Sequence, residues 1–205
     1  MSRRRSRRSP LPLIAGLVLL GVLATAIGLG QFLGFPDFPN FPGFSWSANH
    51  VDDRGLKPSA PTRISIPALG VRADVVEVGR ADDGSIATPV EDPAGTAGWY
   101  GLGPSPGEDG TAVIVGHVDT ASKPAVFGKL AQLPAGKLVE VKRKDRRVAT
   151  FTVESVERFP KTSFPADRVF ADTESPRLVL VTCGGDWLGG DVGYADNVIV
   201  FAHLT

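Results

Sequence analysis

Cys183 and His117 are the two side chains in this 205-residue chain whose type and setting could carry out covalent chemistry. Cys183 is the only cysteine and closes the apolar run Arg177-Leu178-Val179-Leu180-Val181-Thr182. His117 closes Thr111-Ala112-Val113-Ile114-Val115-Gly116. A nucleophile at the end of a strand is held rigidly while its loop side stays open to substrate. The Gly184-Gly185 pair after the cysteine removes side-chain bulk and lets another backbone come close. An ordinary thiol is only a few per cent thiolate at neutral pH. A nearby imidazole raises that fraction or gives a proton to a leaving amine. The bland alternatives are a cysteine acting as an inert buried hydrophobe and a histidine capping its strand through backbone hydrogen bonds. His50 and His203 receive no chemical role. A single cysteine rules out an intrachain disulfide and a Cys-rich zinc module, and three histidines argue against an all-protein metal centre. No metal or cofactor is expected.

These two residues need strands to hold them, and the sequence supplies them. The 24 glycines and 17 prolines favour turns and short strands over a helical bundle. Short β-branched runs recur between them: Arg63–Ile66, Val71–Val78, Thr111–His117, Lys137–Lys142, Val148–Val156, Arg177–Cys183 and Asn197–Ala202. The runs ending at His117 and Cys183 are nearly continuous in apolar residues, as strands buried on both faces are. Lys144-Asp145-Arg146 marks a hairpin turn, and Ala125–Leu133 could form a short helix. The reading is all-β. About 145 residues can bury one core, and closing the strands into a barrel removes exposed edges. The basic cluster Lys142–Arg147 could bind an anionic polymer, but a solvated hairpin tip is the favoured reading.

The formal net charge of zero hides an asymmetry. Arg3, Arg4, Arg5, Arg7 and Arg8 lie within the first nine residues; removing those five from 22 Lys+Arg leaves 17 against 22 Asp+Glu. A nucleic-acid binder would carry its basic patch on the folded part, which here is mildly acidic. The arginines instead precede residues 9–36, which contain no charged side chain. About 20 apolar residues span a bilayer as a helix, and flanking basic residues stay cytoplasmic. The expected organisation is a basic cytoplasmic segment 1–10, a transmembrane signal-anchor helix 11–34, a Phe/Pro-rich extracellular linker 35–60 and a folded domain 61–205. The chain would then be a single-pass protein of the cell membrane. Ala24-Thr25-Ala26 would also fit a signal-peptide cleavage site, but the apolar run continues past it, which favours a retained anchor. Phe35, Phe38, Phe41 and Phe44 recur every third residue among prolines, as on one side of a polyproline II helix. They read equally as a headgroup-level stripe or as part of a stiff spacer. Residues 45–61 read as a flexible linker.

Three segments together resemble class F sortases of Gram-positive bacteria: Gly116-His117-Val118-Asp119-Thr120, Val181-Thr182-Cys183-Gly184-Gly185 and Tyr194-Ala195-Asp196-Asn197-Val198-Ile199-Val200. Ile64–Val71, Gly98-Trp99-Tyr100 and Phe164–Phe170 add to the match, in order, over about residues 61–205. The resemblance implies a closed eight-stranded sortase-type β-barrel with short helices in its loops. It also implies a cysteine transpeptidase that needs no cofactor. Cys183 would attack an LPXTG-like sorting signal on a secreted protein, His117 would serve as general acid and then base, and an acyl-thioester would pass to a cell-wall amine. The family uses an arginine to hold the oxyanion, in many class F members within a Tyr-Arg-Asp-Asn stretch. Here that stretch reads Tyr194-Ala195-Asp196-Asn197. Arg168 is the candidate replacement, with a salt bridge to Asp167 or Asp172 as the alternative. Arg177 is a poorer candidate, about 20 Å from Cys183 at the strand rise. Asp119 could orient His117 or simply form the turn, and the turn is favoured. Trp187 and Tyr194 could wall a substrate groove or pack the barrel rim. Two other functions stay open: a peptide-binding module on a catalytically weak or inactive barrel, and a cysteine hydrolase without transfer.

Overall fold

The structure is a computed structural model that describes residues 55–89, 92, 94–190 and 193–205. The expectations for the basic N-terminus, the membrane span and the Phe/Pro segment fall on residues 1–54, outside the described ones. Among the described residues, no helix is long and apolar enough to cross a membrane.

Eight strands form the domain: β1 (Pro61–Ile66), β2 (Val71–Val78), β3 (Thr96–Tyr100), β4 (Thr111–Val115), β5 (Leu138–Arg143), β6 (Val148–Pro160), β7 (Arg177–Trp187) and β8 (Tyr194–Leu204). They close into a barrel in the order β1-β2-β3-β4-β7-β8-β6-β5. The β2/β3 and β4/β7 pairs are parallel and the others antiparallel. Three 3-10 turns and the one-turn helix Ala166–Val169 lie in the connections. The helix expected over Ala125–Leu133 is reduced to the 3-10 turn Leu130–Gln132.

Side chains alternate across each strand, and the barrel buries both sides of its central strands. The inner face holds Ile64, Ile66, Ile114, Val139, Phe151, Leu178, Leu180 and Val200. On the outer face, Val113, Val115, Val179, Ile199 and Phe201 are covered by Val169 and Phe164 from the β6–β7 connection. This double burial explains why β4 and β7 are apolar without alternation, and it matches the sequence expectation for both strands.

β3 has no counterpart among the strand runs read from β-branched residues. Its Thr-Ala-Gly-Trp-Tyr sequence carries little strand propensity, yet neighbours fix it on both sides. A Cβ on Gly98 would lie 2.9 Å from a Val78 methyl, so glycine is what lets β3 pack against β2. β6, β7 and β8 run well beyond the predicted ends. Gly184-Gly185-Asp186 reads as a loop by composition, but the chain stays paired through a bulge between Gly184 and Trp187, with Gly185 at φ 77°.

The β5–β6 hairpin forms at the expected turn, with Arg146 at φ 70°. Its basic cluster is solvent-exposed at Lys142, Lys144, Arg146 and Arg147, but Arg143 is only 1% exposed. Its guanidinium donates to the carbonyls of Pro106 and Lys57 and to Asp145 Oδ2 at 3.1 Å. A buried guanidinium is tolerable only when its donors are met in this way. Arg143 thereby ties together the hairpin, the β3–β4 loop and the segment leading into β1. Residues 55–60, the last part of the segment read as flexible linker, are bound to the barrel: Gly55 N–H donates to Asp109 Oδ1 (2.7 Å) and Ser59 N–H to Ser105 Oγ (2.9 Å).

Candidate functional site

The segments that lead to His117 and carry Cys183 are neighbours because β4 and β7 pair in parallel. Val115 pairs with Val181, and the next residue continues the ladder, Gly116 N–H donating to Val181 O at 3.1 Å. His117 and Cys183 are each two residues beyond that pair: His117 follows the end of β4, and Cys183 lies within β7, which continues to Trp187. By alternation Cys183 follows the outer-face residues Val179 and Val181 of β7. His117 and Cys183 are both half-buried.

The backbone beyond β4 is held firmly. Phe127 N–H donates to His117 O and Ala125 N–H to Val118 O, both at 3.0 Å. A Cβ on Gly116 would lie 2.6 Å from the Phe127 ring, so that ring closes over the strand directly before the histidine. The imidazole Nε2 lies 3.2 Å from Pro89 O. That carbonyl can only accept, so Nε2 carries a proton there and Nδ1 is left for other partners. On the cysteine side, a Cβ on Gly185 would lie 2.4 Å from Asp196 Oδ2. Gly185 is therefore required twice, by its positive φ and by this close approach.

Asp119 does not orient His117. Its carboxylate accepts from the Tyr194 hydroxyl, which bridges the loop after β4 and the start of β8. This hydrogen bond raises the Tyr194 pKa above the ordinary phenol value, with smaller contributions from desolvation and from the charges of Asp119 and Cys183. The Trp187 ring meets Tyr194 edge-on at 5.0 Å between centroids, and Trp187 is 62% exposed. Asp119, Tyr194 and Trp187 thus form a latch across the end of the barrel that carries His117 and Cys183. The sequence pointed to each of the three separately, but nothing local marked Asp119 and Tyr194 as partners 75 residues apart. The Pro89 carbonyl, a backbone group, left no sequence signal at all.

Arg168 is placed elsewhere. Its guanidinium binds Glu157 through two hydrogen bonds of 2.8 Å and lies 4.3 Å from the Phe201 ring centroid. Phe201 pairs with Val179, four residues before Cys183, about 13 Å down the strand. The salt bridge anticipated with Asp167 or Asp172 is made instead with Glu157, across to β6. The pair holds Glu157 down at about 2, first through the Arg168 hydrogen bonds and then through that of Ser155. Arg177 is bound to Glu154 at 2.7 Å. The β4/β7 ladder makes neighbours of the segments that lead to His117 and carry Cys183, whereas Arg168 is engaged by Glu157.

The eight strands of the domain thus make a closed mixed β-barrel. The Sortase domain profile matches residues 64–205, and the chain belongs to the sortase family. Solved structures of similar fold include sortase C from Clostridium perfringens SM101 (14% identity, TM-score 0.54, covering 71% of this chain and 69% of that one). Others are a lid mutant of sortase A from Corynebacterium diphtheriae (15%, 0.56, 73% and 72%) and a Clostridium perfringens sortase D5 transpeptidase (18%, 0.53, 71% and 79%). A search of curated proteins returned no significant match.

Proposed function

We propose that this chain is a class F sortase: a cysteine transpeptidase anchored in the cell membrane by its N-terminal apolar segment, with the barrel outside the cell. Cys183 and His117 are its catalytic residues, secreted proteins bearing LPXTG-like sorting signals are its substrates, and a cell-wall amine is its acceptor. The single observation that supports the reading is the parallel β4/β7 ladder, in register up to Val115 and Val181, because His117 and Cys183 each follow two residues after that pair.

The Cys183 thiolate adds to the carbonyl carbon of the Thr–Gly bond, and the carbonyl π pair moves onto oxygen. Collapse of this adduct re-forms the carbonyl and breaks the C–N bond, while His117 gives its proton to the departing amine. The resulting acyl-thioester is attacked by the incoming amine, which loses a proton to the now neutral His117. Cys183 leaves as the thiolate, and the cycle closes. The contact with Pro89 O restrains the ring during both transfers, and the rigid strand ends keep the reacting groups aligned.

The test is cleavage of a fluorogenic LPXTG-type peptide by the full-length chain in detergent. Cys183→Ala should abolish cleavage, and mass spectrometry of the wild type should show an acyl adduct on Cys183. Adding an amine should convert the released acid into an amide product. Peptide binding without turnover, unchanged in Cys183→Ala, would replace the enzyme with a binding module. Acid as the sole product, whatever amine is added, would make it a hydrolase.

A further inference from the structure

The acyl-transfer reading puts negative charge on a carbonyl oxygen beside Cys183, and such an oxyanion needs a donor fixed in place. The arginines near the β6, β7 and β8 strands do not supply it. Arg168 is spent on Glu157 and Arg177 on Glu154. Arg158 pairs with Val198, which in turn pairs with Thr182, so it leaves the sheet on the face opposite Cys183, with its Nε 4.0 Å from Asp196. The Lys161 ammonium lies 3.9 Å from where a Cβ on Gly193 would stand. Gly193 precedes β8, four residues before Asn197, the partner of Cys183. Ala195 offers only a methyl group.

The direct partner of Cys183 across the β7/β8 ladder is Asn197. Directly paired residues project from the same face with Cβ atoms about 4.5–5.5 Å apart. Asn197 therefore stands beside Cys183 on the β8 side of β7, while the segment leading to His117 leaves β4 on the other side. Its carboxamide carries two N–H donors and is half-buried. Among the described residues, no hydrogen bond engages that side chain.

We propose that the Asn197 carboxamide is the oxyanion donor of this enzyme. The inference rests on the acyl-transfer reading above. As the Cys183 sulfur bonds to the carbonyl carbon, the π pair moves to oxygen, and an Asn197 Nδ2–H hydrogen-bonds that oxygen until the C–N bond breaks and the pair returns. A neutral side-chain amide can do this, since an N–H dipole aimed at the developing charge stabilises it without proton transfer.

The experiment compares wild type, Asn197→Ala, Asn197→Asp and the double variant Asn197→Ala/Ala195→Arg, each as the full-length chain in detergent. Three readouts are taken: LPXTG-peptide cleavage, affinity for the corresponding peptide aldehyde, and alkylation of Cys183 by iodoacetamide. The aldehyde forms a hemithioacetal whose oxygen mimics the oxyanion, whereas alkylation forms none. Removing one such donor lowers kcat on the order of 100-fold. Asn197→Ala and Asn197→Asp should each show that loss in kcat and in aldehyde affinity, with KM and alkylation rate little changed. Placing a guanidinium at 195 should restore much of both. Full kcat and full aldehyde affinity in Asn197→Ala would overturn the proposal, and so would a parallel loss of alkylation, which marks general damage to the strand. The aldehyde arm separates the two readings: a wild type that captures aldehyde but cleaves no peptide sinks the sorting-signal function, while the asparagine is still judged by aldehyde affinity.

Discussion

Replacing Arg168 by alanine should weaken the fold and leave the chemistry intact. Depression of Glu157 from 4.5 to about 2 corresponds nominally to about 3 kcal/mol. The Arg168 and Glu157 side chains are 51% and 33% exposed, however, so solvent screening brings the ion pair down to about 1 kcal/mol. Stacking on Phe201 at 4.3 Å adds about 0.5–1 kcal/mol. Together they amount to roughly 1.5–2 kcal/mol, a fall in Tm of about 5 °C for a domain of this size. The pH dependence has a definite sign. Glu157 has a depressed pKa in the folded state, so its contribution is complete above about pH 4.5 and is lost as pH falls towards 2. Urea titrations at pH 7 and pH 2.5 should show a gap between wild type and Arg168→Ala that shrinks at the acid end, where only the stacking part remains. Peptide cleavage at pH 7, measured well below the Tm, should agree within about twofold. A variant as stable as wild type but on the order of 100-fold slower, the loss expected on removing an oxyanion donor, would refute this reasoning and return Arg168 to the catalytic centre.

Two further outcomes follow from side chains that join distant segments. Arg143→Met should lower stability by about 3 kcal/mol, because it orphans the carbonyls of Lys57 and Pro106; chemical denaturation measures this, and a loss below about 0.5 kcal/mol would show that the guanidinium is dispensable. Tyr194→Phe removes the donor to Asp119 while keeping the ring against Trp187. It should slow peptide cleavage by several-fold and speed amide hydrogen exchange in the 118–124 loop, and unchanged exchange would mean that the latch does not hold that loop.

What was legible in the sequence was what depends on local pattern. Uninterrupted apolar runs marked β4 and β7 as strands buried on both faces, since only a residue enclosed on each side of the sheet has no reason to be polar. The placement of His117 and Cys183 at the ends of those runs marked them as candidates. β3 escaped because its strand state comes from neighbours that accept a glycine, and no local propensity reports that. The extensions of β7 and β8 escaped because Gly184-Gly185-Asp186 resembles a loop until a partner strand pairs with it.

The linear chain determined which residues carry reactive groups and that they follow apolar strand runs. It could not determine register, because hydrogen-bond pairing between segments 66 residues apart is chosen by the closure of the whole barrel. Only that closure paired β4 with β7 and so made neighbours of the segments that lead to the imidazole and carry the thiol. It also placed Asn197 on the far side of the sulfur and turned Arg168 towards Glu157 on β6. Side-chain identity is written locally, but the distance between two side chains belongs to the complete set of strands that must pair at once.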